Sequence, residues 1–262
     1  MITDFVPHLA VPLRVAAFLV ASILVHGVIF RSPSSHLRSL KRGASPKHAV
    51  YVTHSFIRRT STTVKNNVPP ISVQVSLEAL CIDSKNYVLN DLVHTYSQLG
   101  PDVMDLSVIS YGNAKLNETT HQVVCQHGKA ECDANVYQQC AIDRFPSPQR
   151  YLPFLQCLFE TLPMGRSDTP FDPSMFSHCA RRSALDWSAL QTCHDDPDES
   201  WRLQYQSAQR TPSYHDHFPL VGVSGAFVSE TNSLLQAVCD AYMKEGGQHP
   251  VCISPSATQQ NL

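Results

Sequence analysis

The sequence predicts an α/β domain of the order βαβ, a helical insertion, then ββα, over residues 71–254. Three observations predict it. Ile71-Ser72-Val73-Gln74-Val75-Ser76-Leu77 alternates apolar and polar side chains, the period of a half-buried strand. Leu89, Leu92, Val93 and Tyr96 then fall at i, i+3, i+4 and i+7, one face of a helix. Late in the chain, Phe218 to Val228 reads as two short strands about a Ser224-Gly225 turn, and Leu234, Leu235, Val238, Cys239 and Tyr242 form a last helical stripe.

The first 70 residues have a different character. Residues 1–30 carry an apolar run from Val15 to Phe30 behind Arg14, which reads as a signal peptide or signal-anchor. Basic residues follow the run (Arg31, Arg38, Lys41, Arg42), an arrangement that opposes a stable anchor and favours a cleaved signal. Residues 31–70 hold eight Lys/Arg and no Asp/Glu among many Ser and Thr, the composition of a flexible linker or propeptide. Pro69-Pro70 closes it. From Ile71 onward there are 11 Lys/Arg against 21 Asp/Glu, a net charge of −10. An acidic domain behind a basic leader argues against nucleic acid as a partner. Membrane contact is expected only through the N-terminal segment, and residues 255–262 are read as a tail.

Within the domain, Gly100-Pro101 ends the first helix and Val103 to Tyr111 is the second strand. Cys81 therefore stands between strand and helix, at the C-terminal edge of the sheet. A Cys-rich and Pro-rich stretch runs from Cys125 to Cys193, with helices expected near 149–162 and 174–193, and Gln204 to Arg210 ends another helix. There is no internal repeat.

All nine cysteines lie after residue 80, which calls for an oxidising compartment or a metal. A thiolate at a helix N-terminus is favoured by the macrodipole and free N–H groups, whereas the neighbouring Asp83 opposes it. In a dithiol site the residue three positions on is a second cysteine, which resolves the mixed disulfide. Here that residue is Ser84, whose hydroxyl can hydrogen-bond Cys81 but cannot resolve. Nine is odd: with Cys81 set aside, eight remain for four disulfides in any of 105 connectivities. Cys239 and Cys252 are the best single pair, since a short Gly-Gly loop lets the tail fold back.

Cys125-Gln126-His127-Gly128, Glu131-Cys132, Asn135 and Cys140 form the densest constellation. A zinc site fails on spacing, because no C-x-x-C knuckle occurs. His215-x-His217 could pair on a metal from a strand, but solvated loop histidines are the better account. Asn117-Glu118-Thr119 is an N-glycosylation sequon. No nucleotide loop, G-x-S-x-G or H-E-x-x-H is found.

The run Cys125-Gln126-His127-Gly128-x-x-Glu131-Cys132-x-x-Asn135-x-x-x-x-Cys140 resembles the signature of the gamma-interferon-inducible lysosomal thiol reductase (GILT) family. Glu78-Ala79-Leu80-Cys81, Tyr111-Gly112-Asn113-Ala114, Ala208-Gln209-Arg210-Thr211, Pro219, Gly225, Cys239 and Cys252 resemble further parts of it, over about residues 71 to 254. The resemblance implies a thioredoxin-like fold with a helical, disulfide-bonded insertion. It implies reduction of protein disulfides in a lysosomal or extracellular compartment of the secretory pathway, with Cys81 as nucleophile. Ser84 departs from the family's C-x-x-C and implies a monothiol mechanism, resolved by an external small thiol with no bound cofactor. Phe218 and Pro219 take the substrate-binding, cis-proline position. The alternative reading is a catalytically retired binding module for unfolded or partner proteins.

Overall fold

The computed structural model describes residues 68–213, 216–229 and 231–253. The leader 1–30, nearly all of the linker 31–70, the tail 255–262 and His215 lie outside the described residues. In chain order, β1 (Ile71–Leu77) leads through a tight turn into α1 (Ile82–Tyr87), which continues through a π-helical turn (Val88–Leu92) into α2 (Val93–Leu99). β2 (Met104–Ser110) follows, then a small hairpin of β3 (Lys115–Asn117) and β4 (Gln122–Val124). Five helices come next: α3 (Lys129–Arg144), α4 (Pro148–Thr161), α5 (Pro173–Arg182), α6 (Trp187–Asp195) and α7 (Pro197–Arg210). β5 (Leu220–Val223), β6 (Ala226–Val228) and α8 (Leu234–Lys244) complete the chain.

The main sheet has the order β2-β1-β5-β6. β1 runs parallel to β2 with Val75 opposite Val108, and antiparallel to β5 with Val75 opposite Val221. Parallel neighbours need a long crossover, and α1 with α2 supplies it. Ser224 (φ 51) and Gly225 (φ 79) turn β5 back as β6, both in the left-handed region. β1 differs from the half-buried strand that its alternation predicts. Only its first residues alternate; Val75, Ser76 and Leu77 are all buried, as befits a central strand beneath a large insertion. α8 packs on β1 and β5, while α3 and α7 pack on β2.

The insertion differs from the sequence reading in three places. α3 has no sequence signal, because its buried face is a mixture of Ala, Val, Tyr and Cys with Glu131, Asn135, Gln138 and Gln139, and carries no apolar stripe. The single helix expected over 174–193 is two: Ala184 (φ 54) breaks it, and Asp186 restarts it by accepting the Ser188 N–H at 2.9 Å. β3 and β4 are three residues each, too short for a period-2 pattern to register.

Four disulfides fasten the chain, three of them in the insertion. Cys140–Cys193 joins α3 to α6, Cys157–Cys179 joins α4 to α5, Cys125–Cys132 closes the loop entering α3, and Cys239–Cys252 ties α8 to the chain after it. Cys81 is free. No helix among the described residues is long and apolar enough to cross a membrane.

The α3–α6 contact also holds a titratable centre. His194 stacks on Tyr137 with centroids 4.0 Å apart, and its Nδ1 and Nε2 lie 2.8 Å and 3.8 Å from Asp195 and Asp133. Burial opposes its charge, but the hydrogen bonds and charges of Asp133 and Asp195 outweigh burial and raise its pKa. A raised histidine stabilises the fold fully below its unfolded value of about 6.5, and that increment is lost as pH rises through the folded value. His194→Gln is therefore expected to lower the melting temperature most at acid pH, by about 2–4 °C for an interaction on the order of 1 kcal/mol. Thermal melts across the pH range check this, and the deficit should shrink toward alkaline pH.

Candidate active site

Every residue of the turn that follows β1 is held. The Glu78 N–H donates to Ser84 Oγ at 3.2 Å and the Ala79 N–H to Asn135 Oδ1 at 3.1 Å. The Leu80 carbonyl accepts the Gly165 N–H at 2.9 Å. The Cys81 N–H donates to the Glu78 carbonyl at 3.2 Å, and the Cys81 carbonyl accepts from the Lys85 N–H at 3.0 Å. Cys81 is the N-cap of α1 with extended backbone (φ −78, ψ 128). Its thiol, half-buried, donates to the Phe218 carbonyl at 3.7 Å, across from the start of β5. The thiol thus has an open side and a fixed backbone.

Ser84 occupies the third position of α1 and is fully buried. The sequence allowed a hydrogen bond between Ser84 and Cys81. In the structure the Ser84 hydroxyl serves the Glu78 N–H, and the thiol turns to Phe218. Asp83 is exposed in the first turn of α1. The Phe218-Pro219 peptide bond is cis. Phe218 is buried, and its carbonyl faces the thiol. Ile82, immediately after Cys81, is 52% exposed and gives the mouth of the site an apolar edge. Sequence reasoning passed over Ile82 because a lone exposed Ile carries no pattern.

The Cys125–Cys140 run comes together behind this turn rather than at the thiol. Cys125 and Cys132 bond to one another, and Cys140 bonds to Cys193 on α6, so these three are not thiolates available to a metal. Asn135 is buried on α3; besides holding Ala79, it accepts the Ser110 hydroxyl at 2.8 Å and donates to the Tyr111 carbonyl at 3.3 Å. Gln126 is exposed, and its carbonyl accepts from Arg166 at 3.3 Å. Gly128 has φ 88, and a Cβ there would fall 2.5 Å from both the Asp168 carboxylate and the Ser167 carbonyl. Only glycine fits both the conformation and the space.

Glu78, His127 and Glu131 form the one cluster of three acidic or imidazole side chains, among the described residues, whose ligand atoms converge within 4.8 Å. Two are buried carboxylates. Glu131 binds His127 twice, accepting its N–H at 3.1 Å and meeting Nδ1 at 2.5 Å. Glu78 Oε2 lies 3.7 Å from the same Nδ1, and Oε1 accepts the Asn113 N–H at 3.0 Å. Because the imidazole nitrogen and three of the four carboxylate oxygens are already engaged, the cluster reads as a hydrogen-bonded unit rather than a ligand set. Burial first, then the Glu131 charge, raises the Glu78 pKa, partly offset by Asn113 and His127. Gly112 (φ 65) packs flat on Glu78, where a Cβ would lie 2.5 Å from its Cγ. The sequence hid this cluster: Glu78 lies far from its partners in the chain, and only the His127–Glu131 spacing of i, i+4 hinted at contact.

The remaining candidates lie apart. Asn117 is exposed at the end of β3, and its side chain accepts the N–H groups of Thr119 and Thr120 at 3.0 and 3.1 Å. Ala208 to Arg210 end α7 and Thr211 caps it.

Residues 72–183 match the sequence profile described as Gamma interferon inducible lysosomal thiol reductase (GILT). The gamma-interferon-inducible lysosomal thiol reductase of Carassius auratus is 26% identical over 70% of this chain and 72% of its own length. The gamma-interferon-responsive lysosomal thiol protein of Arabidopsis thaliana is 24% identical over 77% and 84%. A GILT-like protein of Caenorhabditis elegans is 29% identical over 78% and 64%. Among solved structures, the reduced disulfide bond oxidoreductase DsbG of Mycobacterium tuberculosis superposes with a TM-score of 0.51 at 17% identity, over 72% of this chain and 84% of that one. DsbA of the same organism gives 0.51 at 17%, over 72% and 88%. With the sheet order, these likenesses show a thioredoxin-like fold carrying a helical, disulfide-bonded insertion.

Proposed function

From the match of residues 72–183 to the gamma interferon inducible lysosomal thiol reductase family, we propose that this chain is a thiol–disulfide oxidoreductase working through Cys81 alone. One observation carries the reading: eight of the nine cysteines are bonded in pairs, and the remaining one, Cys81, is free and half-buried at the N-cap position of the first helix. The Cys81 thiolate attacks a substrate disulfide, forms a mixed disulfide and releases one substrate thiolate. A small thiol then attacks the Cys81 sulfur, freeing the second substrate thiolate and leaving itself on Cys81. A second small thiol removes it as a small-molecule disulfide and restores Cys81. Two small thiols are oxidised for each substrate disulfide reduced, and their protons end on the two substrate sulfurs.

The substrates are disulfide-containing proteins. The Phe218 carbonyl meets the thiol, the cis bond to Pro219 follows it, and Ile82 next to Cys81 is exposed, which favours an extended, partly apolar chain as the partner. The four disulfides and the lysosomal relatives support a secretory-pathway location. An acidic compartment is the finer reading. The folded part carries −10, and both Glu78 and His194 are raised, so each favours the fold at acid pH.

Reduction of a protein disulfide at about pH 5 and about pH 7, with and without a small thiol, tests the function. Wild type should turn over only with the thiol present, and Cys81→Ser not at all. Equal rates for the two proteins would sink it. A second reading, a binding module without turnover, draws on Ser84. It predicts no reduction in any thiol buffer and chain binding that survives Cys81→Ser.

A further inference from the structure

We propose that Glu78, His127 and Glu131 are positioning residues for Cys81, a largely buried cluster, hydrogen-bonded between His127 and Glu131 and ion-paired between His127 and Glu78, that clamps the Cys81 turn to the disulfide-closed 125–132 loop. The proposal rests on Cys81 being the reacting group, but the clamp has its own readout.

The geometry supports it from three sides. Glu78 is used at both ends: its backbone N–H ties back to Ser84 in α1, and its carboxyl reaches Asn113 after β2 and His127 in the loop. The loop is itself fixed. Cys125–Cys132 closes it, the Ser167 N–H donates to the His127 carbonyl at 2.8 Å, and the Ala130 N–H donates to the Ser167 carbonyl at 3.1 Å. The same 163–167 segment reaches the turn directly through Gly165 and Leu80. Asn135, one turn along α3 from Glu131, holds Ala79. The turn, the loop and α3 are therefore one hydrogen-bonded assembly, whose rigidity fixes the direction in which the Cys81 sulfur points.

The cluster holds two buried carboxylates and a single imidazole. With both carboxylates ionised, two negative charges face one cation at most, in a site shielded from water. The groups facing Glu78 are Glu131 from α3 and His127 from the loop, with the Asn113 N–H from the segment after β2. Arg166 and Asp168 pair with each other on the far side of that loop, at Gln126 and Gly128. Ionising Glu78 thus strains the clamp, and protonating it relaxes the clamp.

Two variants and two readouts test this in the full chain. His127→Ala removes the bridge while Cys125–Cys132 keeps the loop closed. It should speed hydrogen exchange of the Ala79 and Cys81 amides by about tenfold with the β1 interior unchanged, and slow capture of a peptide disulfide by Cys81 by a similar factor. Glu78→Gln keeps an acceptor for Asn113 and the volume of a protonated glutamic acid but cannot ionise. Its capture rate relative to wild type should climb with pH, by about threefold or more, as Glu78 ionises in wild type. Wild-type exchange at Ala79 and Cys81 in His127→Ala, or a Glu78→Gln to wild-type ratio that stays constant with pH, would overturn the proposal. If wild-type Cys81 captures no peptide, the oxidoreductase reading fails, and the exchange measurement alone decides the clamp.

Discussion

A Ser84→Cys variant is expected to reduce one protein disulfide per molecule without any added thiol, whereas wild type halts at the mixed disulfide. The difference lies in one atom. Cys81 is the N-cap of α1 and Ser84 the third residue of its first turn, the two positions whose side chains reach each other across a helix start. A sulfur at position 84 can attack the Cys81–substrate bond, release the second substrate thiolate and leave the sulfurs at positions 81 and 84 joined. Oxygen at that place forms no such bond. Single-turnover release of reduced substrate should rise by at least about tenfold in this variant, followed by mass spectrometry. The exchange carries a small structural cost. Ser84 Oγ accepts the buried Glu78 N–H at 3.2 Å, and sulfur is a weaker acceptor, so about 1 kcal/mol of stability is lost. Release no faster than wild type would mean that position 84 cannot reach the Cys81 sulfur.

Removing the Cys140–Cys193 bridge is expected to have the largest effect on stability. The bond closes a loop across 53 residues, which in the chain-entropy description stabilises the fold by about 4 kcal/mol. Cys239–Cys252 closes 13 residues and contributes about 3 kcal/mol on the same basis. The two bridges also differ in what they hold. Cys140 lies on α3, which carries Glu131 and Asn135 into the Cys81 turn, so its loss loosens the assembly behind the thiol. Urea unfolding of the Cys140→Ala, Cys193→Ala double variant, compared with the Cys239→Ala, Cys252→Ala one, checks the order. A midpoint in the first no lower than in the second would contradict it.

Much of the sheet was legible because its residues obey simple periods. The alternation of Ile71 to Leu77 placed β1, the stripe of Leu89 to Tyr96 placed the first helix, and the Ser224-Gly225 turn placed the last hairpin. Cys81 stood out for its place between strand and helix, and the odd cysteine count for leaving one thiol over. The insertion was harder. α3 buries Glu131, Asn135, Gln138 and Gln139, which a hydrophobic pattern reads as surface. Three of them are buried serving backbone groups, Glu131 for the His127 N–H, Asn135 for Ala79 and Tyr111 and Gln139 for the Ser110 carbonyl, and Gln138 accepts the Ser110 hydroxyl. The Cys125–Cys140 run was legible as a constellation but not as a support. Its residues reach the site from His127 to Glu78 and from Asn135 to Ala79, contacts that exist only once the chain is folded.

The central claim is that Cys81 is the reacting thiol of a monothiol oxidoreductase. Intact-mass analysis tests it directly, with the protein mixed with a single-disulfide peptide in the absence of small thiol. A covalent adduct of one peptide half on Cys81, released by a small thiol and absent from Cys81→Ser, is the predicted result. An unmodified wild-type chain, or an equal adduct in Cys81→Ser, would contradict it.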